Sequence, residues 1–221
     1  MQNLSLLQSI LLFAVPAVMA ITVHEAAHGF TARHFGDRTA EVLGRLTLNP
    51  LKHIDPIGTV AVPLGLLVMS KMTGAPLLLF GWAKPVPVGV RNLRNPKRDM
   101  AIVAAAGPAS NLAMAAGWTL VLVLIGLFGG HIQLLEFLAY MAYFGVFFNV
   151  LLAVFNMMPI PPLDGGRVLS GLLPPRASIS FDRIEPFGFM IVIALIMTGV
   201  LWKVIGPIFN AVLAFYLGFL S

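Results

Sequence analysis

The sequence predicts an all-α polytopic membrane protein, with about five spanning helices, a re-entrant hairpin and short membrane-associated β-strands. Three observations carry that prediction. Hydrophobic residues make up 58% of the 221 and charged ones only 10%, a balance outside the range of ordinary soluble domains. Several apolar runs reach the roughly 20 residues needed to cross a bilayer. The basic residues collect in polar loops between those runs.

The first apolar run covers about 4–32 and ends in Arg33, His34, Gly36 and Asp37. It lacks a basic n-region, so it reads as a retained span rather than a cleaved leader. The next run, 57–80, is interrupted by Pro63, Lys71, Gly74 and Pro76. A third extends from about Met100 to Phe128, and Gly129-Gly130 turns it tightly into a fourth, 133–158. The last two, about 186–202 and 205–220, are separated by Lys203, Gly206 and Pro207. No repeat or linker divides the chain. It reads as one domain, 1–221, with a core at about 4–172 and a C-terminal helical hairpin at 186–221.

Loops 33–55, 84–99 and 164–185 hold most of the Lys and Arg, whereas the Gly129-Gly130 turn has none. By the positive-inside rule all three loops are cytoplasmic. Segment 57–80 must then enter and return on one side, with its break near Lys71–Pro76. An ordinary span there would require another segment to fail to cross. Within the loops, Val42–Leu48 and Lys84–Val90 look like strands. Pro85 and Pro87 lack N–H groups on one edge, so the second belongs at a sheet margin, and Val42–Leu48 is the better template for an added strand.

Residues 24–28 read His-Glu-Ala-Ala-His inside the first run. On a helix, His24 and His28 stand one turn apart on one face and can share a metal ion. Glu25 lies beside them, placed to take a proton from a water at that metal. Ionisable groups at membrane depth cost about 2.5–3.5 kcal/mol each, and a zinc site returns more than that, about 10–16 kcal/mol. The other half of such a site is Asn156 to Arg167, where Pro159, Pro161 and Pro162 break the fourth helix and Asp164 precedes Gly165-Gly166. Asp164 is either a third ligand, leaving one open position for water, or a cap for a short helix. Asn111, in Gly107-Pro108-Ala109-Ser110-Asn111, either hydrogen-bonds across helices or faces the cavity and its substrate. With no cysteine in the chain, any metal must use His and carboxylate. The net charge of +5 comes without an aromatic-basic platform, which speaks against nucleic acid.

Together, His24-Glu25-x-x-His28, Gly107-Pro108-x-x-Asn111 and the Asn156…Pro159…Asp164-Gly165 loop resemble the site-2 protease family of intramembrane zinc metalloproteases, in a minimal form without PDZ or CBS domains. The resemblance covers about residues 10–170. It implies one Zn2+ per chain held by His24, His28 and Asp164, with Glu25 as catalytic base. It implies cleavage within or beside a transmembrane helix of a protein or peptide substrate in the lipid bilayer, and it suggests that Asn156 and Pro162 touch that substrate. The expected location is the cell membrane, with the site toward the cytoplasm. Three other readings stand beside it. The first is a zinc or proton transporter, which would more naturally show repeats. The second is a non-proteolytic scaffold, which an intact Glu25 disfavours. The third is a zinc protease using Glu136 or Glu185 as third ligand.

Overall fold

The computed structural model describes residues 5–73, 83–128 and 133–220. Its α-helices are α1 (Leu6–His34), α2 (Thr39–Val42), α3 (Val62–Thr73), α4 (Pro96–Phe128), α5 (Gln133–Asn156), α6 (Asp164–Leu172), α7 (Pro175–Asp182), α8 (Glu185–Met197) and α9 (Val200–Leu217). A π-helix, Pro56–Ala61, leads into α3. Four stretches are long and apolar enough to span a membrane: Leu7–His34, Pro96–Leu127, Gln133–Asn156 and Val200–Leu220. The fifth candidate, α8, has 13 residues. At 1.5 Å per residue it reaches about 20 Å, short of the roughly 30 Å hydrocarbon core. Gly199, at φ +70, ends it and starts α9 in a new direction. Among the described residues, four stretches reach full spanning length and α8 is a shorter apolar helix beside them.

Helix α1 starts where Ser5 and Gln8 cap each other's backbone N–H groups. It then runs for about five largely apolar turns before the histidines. Helices α1, α4 and α5 pack on one another, α9 packs on α5, and α6 lies against α4. Small residues allow the close approaches. A Cβ at Gly145 of α5 would collide with the Trp118 ring of α4. Ala115, Val146, Val150 and Phe209 form the apolar centre between α4, α5 and α9. Tyr216 of α9 donates its hydroxyl to the Leu112 carbonyl at 2.8 Å.

The C-terminal end of α1 and the N-terminal end of α4 are at the same end of the bundle, since Arg94 N–H donates to the Phe35 carbonyl at 3.0 Å. The chain between them thus leaves and returns at one end, as the loop-charge argument requires. Helix α3 runs through Lys71 to Thr73. The rest of the expected break, Gly74 and Pro76, and the Gly129-Gly130 turn lie outside the described residues, as does His131. Asp37 fastens the returning segment. Burial alone would push its carboxyl up, but donors from Thr39, Asn92 and the Gly89 backbone outweigh it and hold the pKa below the usual carboxylate value.

No β-strand occurs among the described residues, which corrects both strand expectations. Val42 closes α2, Gly44 turns at φ +63, and the N–H groups of Arg45 and Leu46 both go to the Ala40 carbonyl. That stretch therefore offers no open edge to an added strand. Residues 83–89 form no ladder and no helix. Pro85 and Pro87 have no N–H to give, and the donors that remain point at α1 and its flanking loops: Lys84 to the His53 carbonyl, Val86 to Glu25 and Gly89 to Asp37.

Candidate metal centre

Helices α1 and α6 meet about 9–15 Å from the C-terminal end of α1, counting 1.5 Å per residue back from His34. His24 and His28 project from the same face of α1, their rings at 87° with centroids 4.6 Å apart. Asp164, the first residue of α6, enters from beyond the end of α5. His24 Nε2 lies 3.1 Å from His28 Nε2 and 3.1 Å from Asp164 Oδ2, and His28 Nε2 lies 3.4 Å from that oxygen. Among the described residues this is the cluster of His and carboxylate groups with the spacing of a metal site.

The three residues fit zinc. Ligand atoms about 2.0–2.1 Å from one tetrahedral ion stand roughly 3.3 Å from one another, and the observed separations bracket that value. The far nitrogen of each ring is already committed. His28 Nδ1–H donates to the Val103 carbonyl at 2.7 Å, and His24 Nδ1–H to Asn111 Oδ1 at 2.6 Å. Both Nε2 atoms therefore carry lone pairs aimed at a carboxylate oxygen that is buried without any donor. Three acceptors converging with nothing between them repel, and a cation at their centre removes that conflict.

The surroundings explain several residues. Gly107 of α4 is open space for the histidines, because a Cβ there would collide with His28 and lie 2.7 Å from His24 Cε1. Pro108 sits inside the same helix, and the nearby Val103 carbonyl accepts the hydrogen bond from His28 Nδ1–H. Asp164 is seated by tight packing. Gly165 lies against the Met157 backbone, Gly166 against Ile160 and Pro161, and Gly188 of α8 against Pro161 and Pro162, with no room at any of them for a Cβ. Thus α8, beyond the expected core, braces the loop that carries a site residue.

Glu25 is half-buried, and its Oε2 accepts from Val86 N–H at 2.7 Å. Val86 is itself anchored by its buried side chain against Gly29, next to Leu46, and Arg45 ties the Lys84 carbonyl down at 2.9 Å. The other expected residues fall as follows. Asn111 is fully buried, with its amide engaged by His24, Ala20 and Asn149, the first of its two expected settings, a hydrogen bond across helices. Asn156 is partly buried and donates to the Leu152 carbonyl of its own helix, and Pro162 is exposed. Glu185 stands 3.9 Å from Arg167 and Glu136 is exposed in the first turn of α5; neither joins the cluster. Sequence reasoning missed Val86, Val103, Asn149 and the steric role of Gly107. Only Gly107 sat in a motif that could have pointed to it.

The profile of peptidase family M50 matches residues 123–199. "Putative zinc metalloprotease YwhC" of Bacillus subtilis is 36% identical over 199 residues, covering 89% of this chain and 85% of the relative. The chain belongs to peptidase family M50. "Putative zinc metalloprotease Rip2" of Mycolicibacterium smegmatis is 33% identical over 184 residues, 82% of this chain and 64% of its own length. Rip2 of Mycobacterium tuberculosis H37Rv is 27% identical over 184 residues, with 81% and 64% covered. The chain thus spans just under two thirds of the Rip2 proteins. No solved structure matches it. With four helices of spanning length, it is a membrane-embedded member of a zinc metalloprotease family.

Proposed function

We propose that this chain hydrolyses peptide bonds within or next to transmembrane helices of membrane-protein substrates, with His24, His28 and Asp164 holding one zinc ion and Glu25 acting as base. The convergence of those three ligand atoms inside an apolar bundle, with Glu25 on the adjoining position of α1, carries this reading. When bound, zinc supplies a Lewis acid that polarises a carbonyl and lowers the pKa of water toward about 7. Glu25 takes the proton from the attacking water and returns it to the leaving amide nitrogen. Val86 N–H holds Oε2, which leaves the other oxygen for the proton. The loop from Asn156 to Asp164 lines the approach, with exposed Pro162 and the end of α5 as the surfaces a substrate would meet.

An amide inside an intact helix is hydrogen-bonded and screened, so the substrate must unwind locally. Gly costs about 1 and Pro about 3 kcal/mol relative to Ala in a helix interior. The test uses purified, zinc-loaded protein and one single-span substrate carrying either a Gly pair or a Leu pair beside the scissile bond. The Gly version should be cut several-fold faster. Equal or faster cleavage of the Leu version would rule out unwinding as the selective step, and no cleavage of any single-span substrate would remove the protease reading.

The site opens toward the cytoplasm in this reading, because Arg33, Arg38, Arg45, Arg91 and Arg94 crowd its end of the bundle. The chain has no cysteine, so single cysteines placed at 45 and 94 report sidedness directly. Both should react with an impermeant maleimide only from the inner side. Labelling of the two from opposite sides would overturn this topology.

A further inference from the structure

The two histidines are held by different means. His28 leans on a backbone carbonyl, Val103 O, which cannot rotate away. His24 leans on a side-chain amide, Asn111, which can present either oxygen or NH2. An amide turned the wrong way would donate to His24 Nδ1, force the proton onto Nε2, and place an N–H where a metal ligand's lone pair belongs. Some feature of the structure must keep Asn111 the right way round.

Two acceptors do this. Asn111 Nδ2 donates to the Ala20 carbonyl at 3.1 Å and to Asn149 Oδ1 at 2.9 Å. Asn149 is in turn polarised by its own helix, since its Nδ2 donates to the Gly145 carbonyl at 2.8 Å. Asn111 and Asn149 are both fully buried. A flip of either amide would set oxygen against oxygen in a dry interior, which is costly. The result is a directed chain from the Gly145 carbonyl of α5, through Asn149 and Asn111 of α4, to His24 of α1.

We propose that Asn149 is a positioning residue for the metal centre, fixing His24 with Nδ1 protonated and Nε2 free by orienting the Asn111 amide. The inference rests on the reading of His24 as a zinc ligand.

The experiment measures zinc affinity by chelator competition on the purified full chain, and the His24 tautomer by 15N NMR of the zinc-free protein. Asn149→Leu should weaken zinc binding about three- to tenfold, the order of what loss of one buried hydrogen bond costs. The His24 signals should split between tautomers. Asn149→Ala serves if the leucine variant does not fold. An unchanged affinity and a single tautomer in Asn149→Leu and Asn149→Ala would overturn the proposal. So would a loss of zinc affinity with His24 still in a single tautomer, which would make Asn149 a packing residue. His24→Ala with wild-type zinc affinity would instead remove the ligand reading itself, a separate and recognisable result.

Discussion

Glu25→Gln should bind zinc as tightly as the wild type and cleave at least about 10²–10⁴ times more slowly, the range ascribed to a general base. The substitution suits the site. Glutamine keeps the length of the side chain and can still accept the Val86 N–H through its amide oxygen, so the segment at 83–89 keeps its anchor on α1. What is lost is the basic oxygen that takes the proton. Glu25→Ala would be a poorer probe, because it also strands the Val86 donor. Zinc content and single-turnover cleavage measured on the same preparation separate the two contributions. Turnover within a few-fold of wild type would remove Glu25 from the proton-transfer role.

Asp164→Asn should lose zinc by more than about 100-fold, beyond the 10–100-fold usual for outer-shell partners, and lose cleavage with it. Asp164 Oδ2 faces two histidine nitrogens and has no donor, so a neutral amide leaves either a weak ligand or an NH2 pointing at the metal position. Glu185→Gln is the matched control. Glu185 is the other acidic residue near this loop, but it reaches toward Arg167 and should be dispensable for zinc. Titration of zinc into both variants decides between them. Retention of zinc by Asp164→Asn and its loss by Glu185→Gln would transfer the third-ligand role.

The readable part of the site was the part in which chemistry is local. His24, Glu25 and His28 share one helical turn, so their type and spacing state their geometry. Asp164 was legible only through topology, because the loop charges require its loop and the end of α1 to lie on one side. Gly107 was read as a small residue for helix approach, and a sequence does not say that the approaching atoms are imidazoles. Val103 and Val86 contribute backbone groups, which leave no trace in residue type. The strand expectations failed for a related reason. Alternating Val and Leu around Arg45 and between the prolines of 84–88 is a strand pattern, but pattern does not supply a partner. The available donors were captured by Glu25, Asp37 and the Ala40 and His53 carbonyls instead. The last two apolar stretches do divide, but at the left-handed Gly199, a few residues before the break read from Lys203, Gly206 and Pro207.

The seating of the Asp164 loop on Gly188 has a consequence for biosynthesis. Translation proceeds from the N-terminus, so α1, with His24, Glu25 and His28, enters the membrane long before Asp164, the proposed third ligand, exists. The backbone that fixes Asp164 is wedged by α8, made later still. A nascent chain therefore has no complete metal site while its own first helices are being inserted and are least well packed. The reactive centre matures only after more than a hundred further residues have joined the bundle, a built-in delay that spares neighbouring helices, and its own, during assembly.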